Sequence, residues 1–543
     1  MSRLLILLGL WSSLFGAEIL FYPLDWSGQL GMMTSQGQHL WRSGWQSGVL
    51  IIDPVYGVYP ARYGQRYHED SGTINPLPEF AFPADSLATV SQLDYSRGDY
   101  EYNTLELTAG FPGEKRYLKI HGFKRTYLGQ YAQFLPPDNK IRPLQQSYRF
   151  DYQSQSGHRR TSVSIGKYIT DAGVVDTLGA QHSYREDITV GGLNFFHDGP
   201  RFPLAGYLYF NVRKWSHPSL FLPVSGTHYS SWAKTGWQLS LRPVFSLNMD
   251  TQKRLITARN KKITAQIWHS VFIHYQTEGI NMELGSVIND QQLFPLGSAD
   301  IQLPWRSFTL AMNARSSWQP VNPVLQDLTG ITTGEQTGSL SVQLNQDLSH
   351  VQWDAFLKTI TIAGYVDGTH LIDTLRREET ISDIFFGANA DMTWSRYAVT
   401  MHWSHSRDIS RLSLGYQDWF QIRLRYRWDL FGKNLSLTAE SQFDQIWGRN
   451  DRVQIDPFIG IPFERYRPGV GPVNPWFIHF RFIAQVSTFT LIWSVNHAAF
   501  ATRDIWKSEA DTLARDVVFM RTNPLLDPAG QLIRFEVIWN FID

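Results

Sequence analysis

From about residue 100 to its end the chain is written in short segments that alternate apolar and polar residues, and this period of two is its strongest constraint. Leu105 and Leu107 alternate with Glu106 and Thr108. Leu118, Ile120 and Gly122 alternate with Lys119 and His121; Trp237, Leu239 and Leu241 with Gln238, Ser240 and Arg242; Leu340, Val342 and Leu344 with Ser341, Gln343 and Asn345. Successive side chains of a strand point to opposite faces, so each segment reads as a strand with one greasy and one polar side. Further on, Tyr397, Val399, Met401 and Trp403 oppose Arg396, Ala398, Thr400 and His402, and Leu412, Leu414 and Tyr416 oppose Arg411, Ser413 and Gln417. Ile422, Leu424, Tyr426 and Trp428 then oppose Arg423, Arg425 and Arg427, while Leu435, Leu437 and Ala439 oppose Asn434, Ser436, Thr438 and Glu440. The gaps are short and carry turn residues such as Phe431-Gly432-Lys433-Asn434. Short gaps favour antiparallel neighbours over βαβ units.

Soluble sandwiches and propellers alternate too, so the apolar face has to decide. A sandwich core prefers side chains of moderate size. Here Trp403, Tyr416, Tyr426, Trp428 and Trp493 occupy apolar positions, in a chain with 20 Trp and 24 Tyr and only 18% charged residues. Lipid sets no packing limit on such rings, and the headgroup level favours them. No run approaches the roughly 20 consecutive apolar residues of a spanning helix. In hydrocarbon every backbone N–H and C=O must be paired, which leaves a closed barrel. The fold expected is therefore all-β, a transmembrane antiparallel β-barrel.

Other totals exclude function classes. With no Cys, the chain has no disulfide, no thiolate metal site and no cysteine nucleophile. Lys+Arg and Asp+Glu are both 49, which gives no nucleic-acid surface. Arg3, the apolar run Leu4 to Trp11 and the small residues around Gly16-Ala17 make 1–17 a secretory signal. Residues 18–90, rich in Gly, Pro and aromatics, are an N-terminal extension, a partial plug or irregular first strands; 91–543 are the barrel.

In the last segment Phe535, Val537, Trp539 and Phe541 alternate with Arg534, Glu536, Ile538 and Asn540. This resembles the terminal strand of bacterial outer-membrane β-barrel proteins, porins among them, although in that class the aromatic is commonly the last residue and here Ile542 and Asp543 follow. The resemblance is to the class, loosely from residue 100 to the end. It implies a bacterial outer-membrane location with outer-membrane lipid as the surrounding partner. At about 22–28 residues per strand with its share of joins, 16–20 strands are expected, 18 centrally. The chain looks too short for a 22-stranded transporter with a full plug.

Arg423, Arg425 and Arg427 are the sharpest local feature, a guanidinium ladder over roughly 13 Å of one strand face. Lining a lumen, it either guides anions or braces the wall, with Arg396 and Arg411 extending it and Glu440 as the candidate partner. His479 and Arg481 share one phase of Trp476–Ile483 and are expected to face the lumen too. Tyr207 and Tyr209 share a phase opposed to Leu208 and Phe210, and either pair could face inward. Asp94, Asp99 and Glu101 suit either a hard cation or a solvated turn. A helical spacing links Ile505, Trp506, Ala510, Leu513 and Val517 within a loop. No catalytic, phosphate-loop or metal motif is found, so no enzyme, cofactor or metal site is expected. The expected function is passive or weakly selective diffusion of small polar or anionic solutes. The alternative is a non-conducting scaffold for assembly, secretion or surface attachment. A homo-oligomer, or a protein partner at the loops or the N-terminal region, is compatible with both.

Overall fold

The computed structural model describes residues 90–126, 144–175, 181–199, 203–216, 227–242, 244–258, 261–289, 292–320, 334–364, 380–407, 417–447, 476–496 and 532–542, some side chains among them excepted. Short pieces are described elsewhere, among them a small antiparallel sheet of Glu18–Phe21, Gly31–Ser35 and Gln38–Leu40. The expected signal segment 1–17, the alternating segment from Arg411 to Tyr416 and the helical spacing from Ile505 to Val517 lie outside the described residues.

The strands of the main sheet run in chain order. The first eight are β1 Val90–Gly98, β2 Asn103–Gly113, β3 Arg116–Thr126, β4 Leu144–Ser156, β5 Arg159–Val175, β6 Gln181–His197, β7 Leu204–Trp215 and β8 His228–Arg242. There follow β9 Phe245–Ala258, β10 Lys261–Thr277, β11 Ile280–Asn289, β12 Gln292–Trp305, β13 Phe308–Gln319, β14 Glu335–Leu348 and β15 Val351–Ala363. The last are β16 Thr380–Trp394, β17 Tyr397–Ser406, β18 Asp418–Leu430, β19 Leu435–Trp447, β20 Trp476–Val486, β21 Phe489–Asn496 and β22 Leu532–Ile542. Each pairs antiparallel with its neighbours in sequence, and β22 pairs with β1 from Arg534↔Gly98 to Ile542↔Val90, so the sheet closes on itself. A closed wall has no edge strand, which satisfies the backbone in hydrocarbon.

The 22 strands correct the expected 16–20, 18 centrally, and with it the expectation that the chain is too short for a wall of 22. The joins after even-numbered strands are mostly two residues, as at Gly157-His158 and Glu278-Gly279, where Gly157 (φ 56°) and Gly279 (φ 79°) adopt the left-handed backbone that such turns require. Two joins at the opposite end, 259–260 and 290–291, are equally short. The 453 residues from Val90 to Ile542 thus divide among 22 strands at about 21 each, below the allowance that led to 18. At the opposite end the joins reach 28 residues (448–475) and 35 residues (497–531). Short turns face the periplasm and long loops the exterior in such barrels. β1 therefore begins, and β22 ends, at the periplasmic mouth.

Side-chain phase follows the sequence pattern. Outward-facing Leu293, Trp305 and Leu284 are 66%, 65% and 62% exposed, and Leu105, Leu107, Trp403 and Trp493 share that face. They form the apolar belt that lipid covers. With strands about 4.8 Å apart and tilted about 40°, 22 of them make a cylinder of about 44 Å backbone diameter and a bore of about 30 Å.

Candidate functional site: the lumenal wall

The inward face of β17–β22 carries the arginines. Ala398, Arg425, Glu440, Arg481, Ser494 and Arg534 stand directly opposite one another across these six strands and make one circumferential row. It holds three guanidiniums against one carboxylate. Arg481 approaches Glu440 at 4.0 Å, so Glu440, the expected partner of the ladder, pairs with the neighbouring strand instead. Arg423 donates through Nε (3.1 Å) and Nη2 (3.0 Å) to Oε1 of Gln442, a neutral partner that leaves its charge uncancelled. Arg427 donates to Asp429 at 3.0 Å, two residues along the same strand face. Arg425 forms no ion pair among the described residues. The ladder is therefore braced at its periplasmic end by Asp429, while Arg423 and Arg425 keep their charge toward the lumen.

Arg396 lies in the turn between β16 and β17, where its carbonyl accepts the amide of Arg427 at 2.8 Å, so it touches the ladder through the backbone. His479 stands opposite Gln442 on the inward face. Arg534 donates to the hydroxyl of Tyr102 at 3.4 Å, with its guanidinium 5.6 Å from that ring centroid. Asp99 and Glu101 are structurally engaged. Asp99 accepts the Ile533 amide (3.1 Å) and Glu101 pairs with Arg142 (3.1 Å).

The adjoining arc, β8–β16, is built of carboxylates, amides and imidazoles. His402 donates through Nδ1 to Asn389 Oδ1 (2.5 Å) and its Nε2 meets Ser404 Oγ (3.2 Å); Asn389 in turn donates to Asp354 (2.9 Å). Thr400 donates to Asp391 at 2.7 Å. On β8–β11, Gln238 donates to Ser246 (2.9 Å), Ser246 meets His274 Nδ1 (3.5 Å), and His274 Nε2 donates to Asn281 (2.5 Å). Among the described side chains, β11–β16 present Glu283, Asp300, Asp347, Asp354 and Asp391 inward against Arg315 and Lys358. β18–β22 present Arg423, Arg425, Arg427, Arg481 and Arg534 against Asp429, Glu440 and Glu536. These adjoining arcs carry opposite net charge, a field that individual strands do not reveal. Such buried polar networks are costly to break. Asn389→Leu, which takes one partner each from His402 and Asp354, should lower the unfolding free energy in urea by about 2–4 kcal/mol; a shift below about 0.5 kcal/mol would remove the network's structural role.

Between the polar groups lie rings that sequence reasoning did not assign. Tyr207, Phe272 and Phe356 face inward and are buried, and each stands directly opposite a glycine: Gly236, Gly285 and Gly387. A Cβ at those glycines would meet the ring at 2.6, 2.7 and 2.7 Å, so each ring lies flat across its neighbour's backbone. Tyr207 is thereby the inward residue and Leu208, 44% exposed, the outward one. Lys234 sits 5.7 Å from the Tyr207 ring centroid and 3.8 Å from Asp250. The available signal was an aromatic in the polar phase opposite a glycine, which needs the strand register to be read.

No family model matches the sequence, and no curated protein matches it. Solved structures do share the fold. The FrpB iron transporter from Neisseria meningitidis (F5-1 variant) superposes with a TM-score of 0.59 at 10% identity, over 84% of this chain and 83% of that one. The siderophore receptor PirA from Acinetobacter baumannii gives 0.62 at 8% identity, over 84% and 81%. The copper transporter OprC gives 0.57 at 11% identity, over 83% and 80%. A closed barrel of this size with a continuous apolar belt belongs in the bacterial outer membrane.

Proposed function

We propose that the chain is an outer-membrane transporter for a bulky, charge-bearing solute, with residues 18–89 filling the lumen, rather than an open diffusion pore. The width of the 22-stranded wall carries this reading. A bore of about 30 Å admits any small solute without discrimination, so selectivity needs material inside it. A compact body of 72 residues has a radius of gyration of about 11 Å and a diameter near 29 Å, which matches the bore. Residues 18–89 join β1 at the periplasmic mouth, where such a body can enter. The named neighbours transport iron, bind a siderophore or transport copper, and all three share the barrel. The arginine arc suits a solute with carboxylate or phenolate charge, such as an anionic metal chelate, and the carboxylate arc beside it orients its dipole.

The test is electrical. The mature chain in a planar bilayer should show no sustained stepwise conductance; large, steady steps would return the protein to the diffusion pores. The ladder has its own test in a barrel opened by deletion of 18–89. Replacing Arg423, Arg425 and Arg427 together with Gln should shift the reversal potential in a salt gradient toward cation preference. An unchanged potential would leave these arginines a bracing role alone.

A further inference from the structure

On the lipid-facing side the charges are not spread around the barrel. Among the described side chains, the outward face of β10–β22 carries no Lys or Arg. Its few titratable groups include His269, bonded to Thr251 at 2.8 Å, and the pair His405–Asp418 at 2.9 Å. On β1–β9, Arg97, Lys124, Lys167, Arg185, Lys214 and Lys253 point outward near the extracellular margin and are exposed. Arg185 is 3.8 Å from Asp171, and Lys214 lies opposite Asp187. Lys253, apart from the rest on β9, lies opposite Ala233 and Ile267; Arg97, Lys124 and Lys167 likewise have only uncharged residues opposite them: Phe535 and Asn103, Leu105 and Gln146, Tyr148 and Thr189.

These three form a level row. Through Asn103, Arg97 on β1 faces Thr126 on β3, and Lys124 lies two residues nearer the periplasm. Through Gln146, Lys124 faces Ile169 on β5, and Lys167 again lies two residues nearer. A shift of two residues per two strands is about the stagger that strand tilt imposes on a barrel, so the row runs parallel to the membrane plane. Lys124 and Lys167 each stand eight residues above the start of their strand, about 20 Å up an apolar band about 25 Å tall. Directly beneath is a groove of about 610 Å³ in the outer wall, bordered by Ile120, Tyr148, Phe150, Ile165 and Lys167, with Gly122 as its floor. Nothing lies within 4 Å of where a Gly122 Cβ would be.

A greasy groove beneath a line of unneutralised cations, at the depth where acyl chains meet headgroups, is complementary to one kind of molecule. We propose that Arg97, Lys124, Lys167 and the Gly122 groove form a binding site for lipopolysaccharide of the outer leaflet. One acyl chain lies in the groove and the lipid's phosphates rest on the three cations. The confinement of the uncancelled charge to β1–β9 makes it a site rather than a general rim, and it fixes which flank of the barrel carries the lipid.

The experiment uses full-length protein refolded in lipid-free detergent and titrated with purified lipopolysaccharide, with bound lipid counted by native mass spectrometry. Folding is checked by heat-modifiable gel migration. Replacing Arg97, Lys124 and Lys167 together with Gln should weaken binding about tenfold or more, and Gly122→Leu, which fills the groove and alters no charge, should weaken it at least about threefold. Lys433→Gln, in the periplasmic turn Phe431–Lys433, should change nothing. Equal binding by the triple variant would overturn the site, as would an equal loss in Lys433→Gln, which would reduce the effect to net charge. Phosphatidylglycerol bound as tightly as lipopolysaccharide would overturn the choice of lipid.

Discussion

A chain lacking residues 18–89 should still close its barrel and conduct ions in steps at least about tenfold larger than any event seen with the full chain. The wall loses nothing by the deletion. β1 begins at Val90, and its ladder partners are β2 and β22, from Val90↔Gly110 to Arg97↔Asn103 on one side and Ile542↔Val90 to Arg534↔Gly98 on the other. What changes is the content of a bore about 30 Å wide. If 18–89 fill it, their removal exposes a water column lined by both charged arcs, and uptake of a large solute should lose its selectivity with the block. The measurement is paired: single-channel recording of both forms, and entry of a bulky antibiotic in cells producing each. Equal conductance in the two forms would place the block in the outer loops instead, or show that none exists.

Much of this wall could be read from the order of residues alone, and the limits are physical. The outward phase was legible at Leu105, Leu107 and Trp403 because lipid leaves the apolar side of each strand almost uninterrupted. In Phe489–Asn496 the alternation breaks at Ile492, an apolar residue in the polar phase, which points inward and is buried at 2% exposure. Strand number was not legible because it depends on join length, and two-residue turns leave little trace in composition. The arginine ladder was legible from spacing, but its partners were not. Asp429 lies two residues from Arg427 on the same face, whereas Glu440, the cross-strand candidate, approaches Arg481. Register decides between such partners, and register is a property of pairs of strands. For the same reason Tyr207 could not be oriented until Gly236 was found opposite it. The polarity of the bore belongs to a higher level still, because it emerges only when five or six strands are laid side by side.

Closure itself sets the harshest constraint, and a single proline should reveal it. Val537 sits in the middle of β22, opposite Leu491 of β21 and Tyr95 of β1, so both neighbours of its strand are engaged at the barrel seam. Val537→Pro removes one ladder donor and forces its ring against a neighbouring strand, at a depth where no water can bond the orphaned carbonyl. The cost should be about 3 kcal/mol or more, and it falls on the closing pair of the ring, without which β1 and β22 are both open edges. The chain already shows where proline is tolerated. Pro112, Pro295 and Pro304, the prolines within the 22 strands, all lie within three residues of a strand end. Val537→Pro should therefore leave no heat-modifiable folded species in the outer membrane, whereas proline at Ile542, in the final position of β22, should be tolerated. Normal assembly of the Val537→Pro barrel would mean that the seam between the first and last strands does not hold the wall closed.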